Sequence, residues 1–182
     1  LQESFVEDAE AVEVLKESQN RVISMAMIHE MLYDSEDLST INFLSYIQNL
    51  IYDLFNSYGV NSSTLKLHLN VDDIHLNIET AVPCGLIISE IVSNALKYAF
   101  PEGKKGNLSI EFHGDKNKEL ELVIADDGVG LPEDMDFKNT DSLGLRLVSS
   151  LVGQLDGTIN LDRNQGTRFI IKFKELKYRK RV

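Results

Sequence analysis

The sequence predicts an α+β fold in which helices cover one face of a mixed, mostly antiparallel β-sheet. Two observations support this prediction. Residues 65–71, 107–112 and 119–125 alternate between apolar and polar side chains, as half-buried strands do. Apolar residues recur at helical spacing over residues 43–58, which indicates an amphipathic helix that packs against a partner.

The N-terminal third of the chain is predicted to be helical. Residues 6–33 form a long helix with apolar side chains among polar neighbours, and the helix over residues 43–58 ends at Gly59. We therefore expect a helical segment over residues 1–60, followed by a second domain over residues 61–182.

The strand over residues 65–71 opens this second domain, and a helix over residues 80–99 follows. Pro83 is tolerable only near the first turn of that helix, and Pro101 lies just past its end. The strands over 107–112 and 119–125 then form a hairpin across a polar turn.

A loop rich in Gly, Asp and Asn spans residues 127–141 and leads into the last predicted helix, residues 142–155. Strands over residues 157–161 and 167–173 close the chain, with a turn at Asn164 to Gly166 between them.

Length and composition restrict the function only broadly. The chain has 182 residues, 43% of them hydrophobic, enough for one core with a helical appendage. A net charge of −11 argues against a nucleic-acid surface, which needs clustered positive charge. The single Cys84 excludes an internal disulfide and is expected to be buried on a helix. No apolar run reaches the length of a membrane span and no signal peptide is evident, so we expect a cytoplasmic location without membrane contact by these residues. A full-length protein attached to the membrane by segments upstream is the alternative.

Three short motifs carry the candidate chemistry. Glu90 and Asn94 stand four residues apart on one helix face, where Asn94 can offer a carbonyl oxygen to Mg²⁺ and Glu90 can order a water. Asp126 follows an apolar strand, where a rigid carboxylate can accept from the amine of adenine. The alternatives are a solvent-facing helix and a common Asp-Gly turn. Residues 142–144 begin a helix, where free backbone amides attract an anion. The alternative is an ordinary capped helix with Ser142 or Asp141 as the N-cap residue.

Taken in order, these motifs resemble the ATP-binding domain of sensor histidine kinases, in the superfamily that includes gyrase B, Hsp90 and MutL. Residues 90–99 look like its N box, residues 126–130 and 142–145 like its two glycine boxes, and residues 166–167 like its last small motif. Upstream, residues 15–22 and 28–33 look like the second helix of the dimerisation and histidine-phosphotransfer region of the subfamily called HisKA_2.

The resemblance implies a Bergerat-type ATP-binding fold over residues 61–182, preceded by part of the dimerisation region over residues 1–60. It implies that Glu90 is catalytic, polarising the accepting histidine or a metal-bound water, and that Asn94 holds Mg²⁺. The ATP-binding residues that it implies are Asn94, Lys97, Asp126, Gly128, Gly130, Ser142, Leu143, Gly144 and Thr167. The alternative for Lys97 is a solvated side chain, and an equally simple explanation of Thr167 is that a β-branched residue favours a strand.

The chain also departs from the family. Thr140 and Ser142 stand where glycines often stand, which implies a stiffer lid, and Phe137 is a poor substitute for a phenylalanine-rich box. The phospho-accepting histidine is expected outside residues 1–182.

The four histidines of the chain do not replace that acceptor. His29, which Glu30 follows, is superficially like one, but the resemblance assigns it to the second dimerisation helix. His68 and His113 fall in predicted strands and His75 lies between or within strand segments, so all three are expected to be sheet or surface residues.

The sequence is therefore identified as the catalytic region of a two-component histidine kinase that transfers the γ-phosphate of ATP, with Mg²⁺, to a histidine. The resemblance further implies a response regulator receiver domain as partner and a homodimer in the full-length protein. A related ATPase of the gyrase B, Hsp90 or MutL kind and a nucleotide-binding module without transfer activity are the alternatives. The helices upstream favour the kinase over the ATPase.

Overall fold

The computed structural model describes residues 9–34, 40–60, 63–115, 119–132, 135–137, 140 and 142–176. Within them, helices pack on a mixed five-stranded sheet, which confirms the predicted α+β class. The α-helices are α1 (Ala9–Asp34), α2 (Phe43–Ser57), α3 (Ile78–Asn94) and α4 (Leu143–Gln154). The strands are β1 (Ile41–Asn42), β2 (Leu65–Val71), β3 (His75–Leu76), β4 (Gly106–Gly114), β5 (Glu119–Asp126), β6 (Thr158–Asp162) and β7 (Thr167–Lys174).

The sheet has the strand order β2-β4-β5-β7-β6. Only β2 and β4 run parallel, and every other neighbouring pair is antiparallel, including the predicted hairpin β4–β5. The register of β5 and β7 sets Asp126 directly opposite Thr167. The sheet thus brings together two predicted site residues that lie far apart in the sequence.

Helix α3 begins two residues earlier than predicted because Asn77 caps it. The Asn77 side chain accepts a hydrogen bond from the Thr80 amide at 3.0 Å. Pro83 consequently lies in the second turn instead of the first. At the other end the chain continues as a single π-helical turn over Ala95–Ala99, a conformation that frequently marks functional sites.

Helix α3 is buried on nearly all sides. Its residues from Thr80 to Ser93 are buried with the single exception of Val82, and it contacts α1, α2, α4 and β5. The near-continuous apolar run of this helix explains that central position, since a helix without a polar face must be covered all round. Cys84 is fully buried there, as expected.

Helices α1 and α2 join α3 through Tyr46. The Tyr46 hydroxyl lies 2.7 Å from the Ser24 hydroxyl of α1, and burial raises the pKa of this phenol. The predicted residues 6–8 of the first helix lie outside the described residues. None of the described helices combines the length and apolarity that crossing a bilayer would require.

Helices α2 and α3 approach so closely that only a glycine fits at position 85. A Cβ atom there would lie 2.1 Å from the Tyr46 hydroxyl oxygen and 2.8 Å from its ring carbon Cζ. We expect Gly85→Ala to lower the free energy of unfolding by about 1–3 kcal/mol, measured by urea denaturation, because overpacking forces side chains off their rotamers. Gly153→Ala is the matched control, because a Cβ there meets nothing within 4 Å. It should raise the free energy of unfolding slightly, since alanine favours a helix more than glycine does. Equal stability of the Gly85 variant and wild type would contradict this account of α2–α3 packing.

Candidate functional site

A small cavity lies where the end of α3, the end of β5 and the start of α4 meet. Its volume is about 120 Å³. Five of the predicted site residues line it: Asn94, Asp126, Gly130, Ser142 and Thr167. The remaining lining is mostly apolar and comprises Ile91, Ala95, Tyr98, Ala99, Leu131, Met135, Leu145 and Phe169.

Asp126 provides a fixed carboxylate in this apolar cavity. The residue is 8% exposed, and its Oδ1 accepts a hydrogen bond from the Gly128 amide at 2.9 Å. Burial raises the pKa of Asp126 above its ordinary value, although hydrogen bonds from Gly128 and Thr167 oppose the shift. A buried acceptor held in this way suits a ligand that presents an N–H group.

The first glycine motif shapes the turn after β5. A Cβ on Gly128 would lie 2.3 Å from the Ala99 carbonyl oxygen, so the turn can approach the end of the π-helical turn this closely only with glycine there. The next amide, that of Val129, donates to the same oxygen at 3.0 Å. Gly130 has a positive φ of 76° and lines the cavity. Gly128 therefore acts through packing, whereas Gly130 lies at the site itself.

The second glycine motif forms the N-terminus of α4. Ser142 is the N-cap residue, but its hydroxyl does not bond to the described residues of the helix. The Leu143 side chain is 59% exposed and does not line the cavity, so only its backbone can contribute. Gly144 is buried, and a Cβ there would lie 2.6 Å from Glu90 Oε2. The glycine thus lets α4 approach α3 and leaves the first amides of α4 near the cavity.

Asn94 is the predicted ligand for Mg²⁺, and it lies on the cavity wall. Among the described residues, no group of three or more His, Cys, Asp or Glu side chains could hold a metal ion. A cation beside Asn94 would therefore take most of its ligands from phosphate and water. Mg²⁺ is commonly bound in this way, so the donor set fits it.

Glu90 is buried and fully engaged by Arg21 of α1. Arg21 Nε donates to Glu90 Oε1 at 2.6 Å and Nη2 donates to Oε2 at 2.9 Å, so the guanidinium holds both carboxylate oxygens. The same contact raises the pKa of Arg21. The predicted catalytic carboxylate therefore faces α1 in this structure.

Lys97 does not line the cavity. Its Nζ pairs with Glu13 Oε1 at 2.9 Å and with Glu17 Oε1, both on α1. Burial lowers the pKa of Lys97, but the bonds to Glu17 and Glu13 outweigh it and raise the pKa above its ordinary value. Lys97 was expected to contact a phosphate, but in this structure its ammonium is bound to the carboxylates of Glu13 and Glu17.

The segment between β5 and α4 is tied to the sheet. The Phe137 ring packs edge-on against Phe169, with centroids 5.7 Å apart, and Phe169 lines the cavity. Arg163 Nη2 donates to the Met135 carbonyl at 2.6 Å. Thr140 accepts from the Ser142 amide at 3.1 Å. Phe137 therefore supports the cavity wall although no phenylalanine-rich box is present.

The contacts of α1 were not anticipated from the sequence. Glu13, Glu17 and Arg21 recur at every fourth position and therefore lie on one face of α1, and this spacing is the signal that could have pointed to them. Their partners Glu90 and Lys97 lie 69 or more residues away, and no local pattern identifies them.

A second, larger groove of about 730 Å³ lies at the opposite end of the sheet. It is lined by residues around the β4–β5 turn and the end of β7, and it contains none of the predicted site residues.

Comparisons with known proteins agree with the motifs. Residues 79–177 match the model of the histidine kinase-, DNA gyrase B-, and HSP90-like ATPase family, and residues 1–58 match the histidine kinase model HisKA_2. The chain is 31% identical over 176 residues to the sensor histidine kinase PdtaS of Mycobacterium tuberculosis. This alignment covers 94% of this chain and 34% of that protein. It is 35% identical over 107 residues to the blue-light-activated histidine kinase 2 of Erythrobacter litoralis, covering 59% of this chain and 31% of that protein.

Solved structures agree as well. The histidine kinase domain of the blue-light-activated kinase EL346 from Erythrobacter litoralis superposes with a TM-score of 0.79 at 26% identity, covering 87% of this chain and 75% of that one. These matches confirm the resemblance inferred from the motifs. The chain spans about a third of the length of the sensor kinases that it matches.

The raised pKa of Asp126 predicts a cost of ionising this residue in the folded chain. The contribution of protonated Asp126 to the free energy of unfolding is fully present below the ordinary pKa of 3.8. It is lost as the pH rises through the raised pKa of the folded chain. Without ligand, the stability of wild type relative to Asp126→Asn, measured by urea denaturation, should therefore fall as the pH rises from 4 to 7. Asp53→Asn, at an exposed position on α2, is the control. A stability difference between wild type and Asp126→Asn that does not change from pH 4 to pH 7 would contradict the assignment.

Proposed function

Because the chain belongs to the histidine kinase-, DNA gyrase B-, and HSP90-like ATPase family, which uses ATP, we propose that its cavity binds ATP with Mg²⁺ in a protein histidine kinase. The observation that carries this proposal is the buried carboxylate of Asp126 in a mostly apolar cavity. It distinguishes this cavity from the larger groove at the other end of the sheet.

The cavity suits the base of the nucleotide. Its volume of about 120 Å³ is below the roughly 300–1,000 Å³ of most ligand pockets, so we infer that it would take only part of the nucleotide, the base. Asp126 would accept a hydrogen bond from the exocyclic amine of adenine. Thr167 lies opposite Asp126 on β7, and its hydroxyl would bind the base or the water bound to it. The side chains of Ile91, Leu145 and Met135 would cover the ring.

The triphosphate would extend along the start of α4. Amides of residues 142–144 and the positive end of the α4 dipole favour an anion there. Asn94 would offer its carbonyl oxygen to Mg²⁺, which when bound neutralises charge on the phosphates. Lys97 would reach the phosphates once it is free of its α1 carboxylates.

The γ-phosphate would then pass to a histidine. Glu90 is proposed to polarise that histidine or a metal-bound water, and the rest of the site would act by positioning and charge stabilisation. His29 is not the proposed acceptor. It lies eight residues beyond Arg21 on α1, about 12 Å of helix rise from the Glu90 contact. The acceptor is proposed to lie outside residues 1–182.

Several wider features remain proposals. In the family a response regulator receiver domain takes the phosphoryl group onto an aspartate, and the full-length protein is proposed to be a homodimer located in the cytoplasm. A division at residue 60 also stays a prediction, since α1 and α2 share one hydrophobic core with α3 and the sheet. The packing of α1 and α2 against α3 favours a kinase over a gyrase B-like or Hsp90-like ATPase.

Calorimetric titration of ATP tests the binding residues. Asp126→Asn should weaken ATP binding with or without Mg²⁺, and Asn94→Ala should weaken it mainly when Mg²⁺ is present. Each variant loses one placed polar contact, which costs on the order of 1–3 kcal/mol. Asp53→Asn and Asn56→Ala, both at exposed positions on α2, are matched controls. Unchanged affinity in either site variant would remove that residue from the proposed site.

Incubation with γ-labelled ATP tests the proposed acceptor. We expect the chain to bind Mg·ATP yet form no acid-labile, base-stable phosphohistidine, because the proposed nucleophile is not among its residues. An added segment carrying the acceptor helix should become labelled if it docks. Labelling of the chain itself that disappears in His29→Gln would show that α1 carries the acceptor and would overturn this proposal.

A further inference from the structure

A stripe of charged side chains on α1 contacts Glu90 of α3 and Lys97 of the π-helical turn. The stripe consists of Glu13, Glu17 and Arg21, and we name these three residues the α1 latch. Arg21 holds both oxygens of Glu90, while Glu13 and Glu17 both hold the Lys97 ammonium. The two groups assigned to catalysis and phosphate binding are therefore both paired with the same helix.

The Lys97 and Glu90 ends of these contacts are shielded from solvent. The Lys97 and Glu90 side chains are each 7% exposed and that of Arg21 is 15% exposed, whereas Glu17 is 23% and Glu13 48% exposed. The Arg21–Glu90 pair is therefore screened weakly, and the Lys97 ammonium would be left poorly solvated if it lost its partners. Arg21 therefore fixes the orientation of the Glu90 side chain, and Glu13 and Glu17 fix that of Lys97.

The latch carboxylates resemble phosphate in what they offer Lys97. Both are anionic oxygen acceptors, and Lys97 lies one helical turn beyond Asn94 on the helix that lines the cavity. Three carboxylates and two cations leave the cluster with a net charge of −1. A triphosphate at the cavity would therefore be repelled by Glu13 and Glu17 and would compete with them for Lys97.

We propose that the α1 latch is an autoinhibitory contact: Glu13 and Glu17 occupy Lys97 in place of the nucleotide phosphates, and Arg21 occupies Glu90. This inference rests on the proposed function, because it requires ATP at the cavity. It assigns to α1 a direct part in regulating the site. Docking of α1 and binding of the triphosphate exclude each other at Lys97, and each weakens the other by the same factor.

The double variant Glu13→Gln/Glu17→Gln tests the latch by calorimetric titration. It removes the competing charges from Lys97, so its Kd for ATP should fall by about fivefold or more, the lower end of typical couplings between sites. Its Kd for adenosine should not change, because adenosine has no phosphate to compete for Lys97. Glu30→Gln removes one charge from an exposed position of the same helix and should leave both constants unchanged. An unchanged Kd for ATP in the double variant would overturn the latch.

A double-mutant cycle separates the latch from general electrostatics. In a Lys97→Met background, the two Glu→Gln changes should no longer improve ATP binding, because the group for which they compete is gone. An improvement of the same size in that background would overturn the latch. It would mean that Glu13 and Glu17 act on the nucleotide through long-range repulsion alone.

Hydrogen exchange provides a readout on the unmodified chain. ATP with Mg²⁺ should speed amide exchange in α1 relative to adenosine, because α1 loses its pairs with Lys97. Slower or unchanged exchange in α1 while ATP is bound would overturn the latch. The two proposals fail in different ways. If neither wild type nor the double variant binds ATP, the proposed function fails and the latch with it, whereas equal ATP binding by both overturns the latch alone.

Discussion

The burial of α3 is the constraint on which the rest of the structure depends. This helix lies between the sheet, α1, α2 and α4, and nearly every residue from Thr80 to Ser93 is removed from water. A polar group on such a helix needs a partner, because leaving it unpaired in the interior costs free energy. Asn77 therefore caps its start, and Glu90, the one carboxylate among its buried residues, is held by Arg21.

The candidate site lies where the α-helical conformation of α3 ends. After Asn94 the chain relaxes into a π-helical turn, and its residues Ala95 and Ala99 are small enough to form a cavity wall. Asp126 closes that cavity from the sheet, and Gly128 and Gly144 let the neighbouring segments come close. The end of a buried helix, the end of a strand and a helix N-terminus thus meet at one place, and a helix N-terminus favours an anion.

The regular elements were predictable because their patterns are local. Period-two alternation identified β2, β4 and β5, and helical spacing identified α2, each close to its observed bounds. The start of α3 was placed two residues late because the capping role of Asn77 was not recognised, and the change to a π-helical turn after Asn94 has no clear sequence signal. The order of the short motifs indicated the candidate site, and five of its residues do line one cavity. The partners of Glu90 and Lys97 were not predictable, because helix spacing restricts which residues share a face but not which distant helix that face meets.

One structure would test the central claim most directly, that of this chain crystallised with Mg²⁺ and a non-hydrolysable ATP analogue. The account predicts the exocyclic amine of adenine within hydrogen-bonding distance of the Asp126 carboxylate, the metal ion beside the Asn94 carbonyl oxygen, and Lys97 turned from Glu13 and Glu17 toward the phosphates. The analogue bound in the groove at the opposite end of the sheet, or in the cavity with its base away from Asp126, would contradict the account.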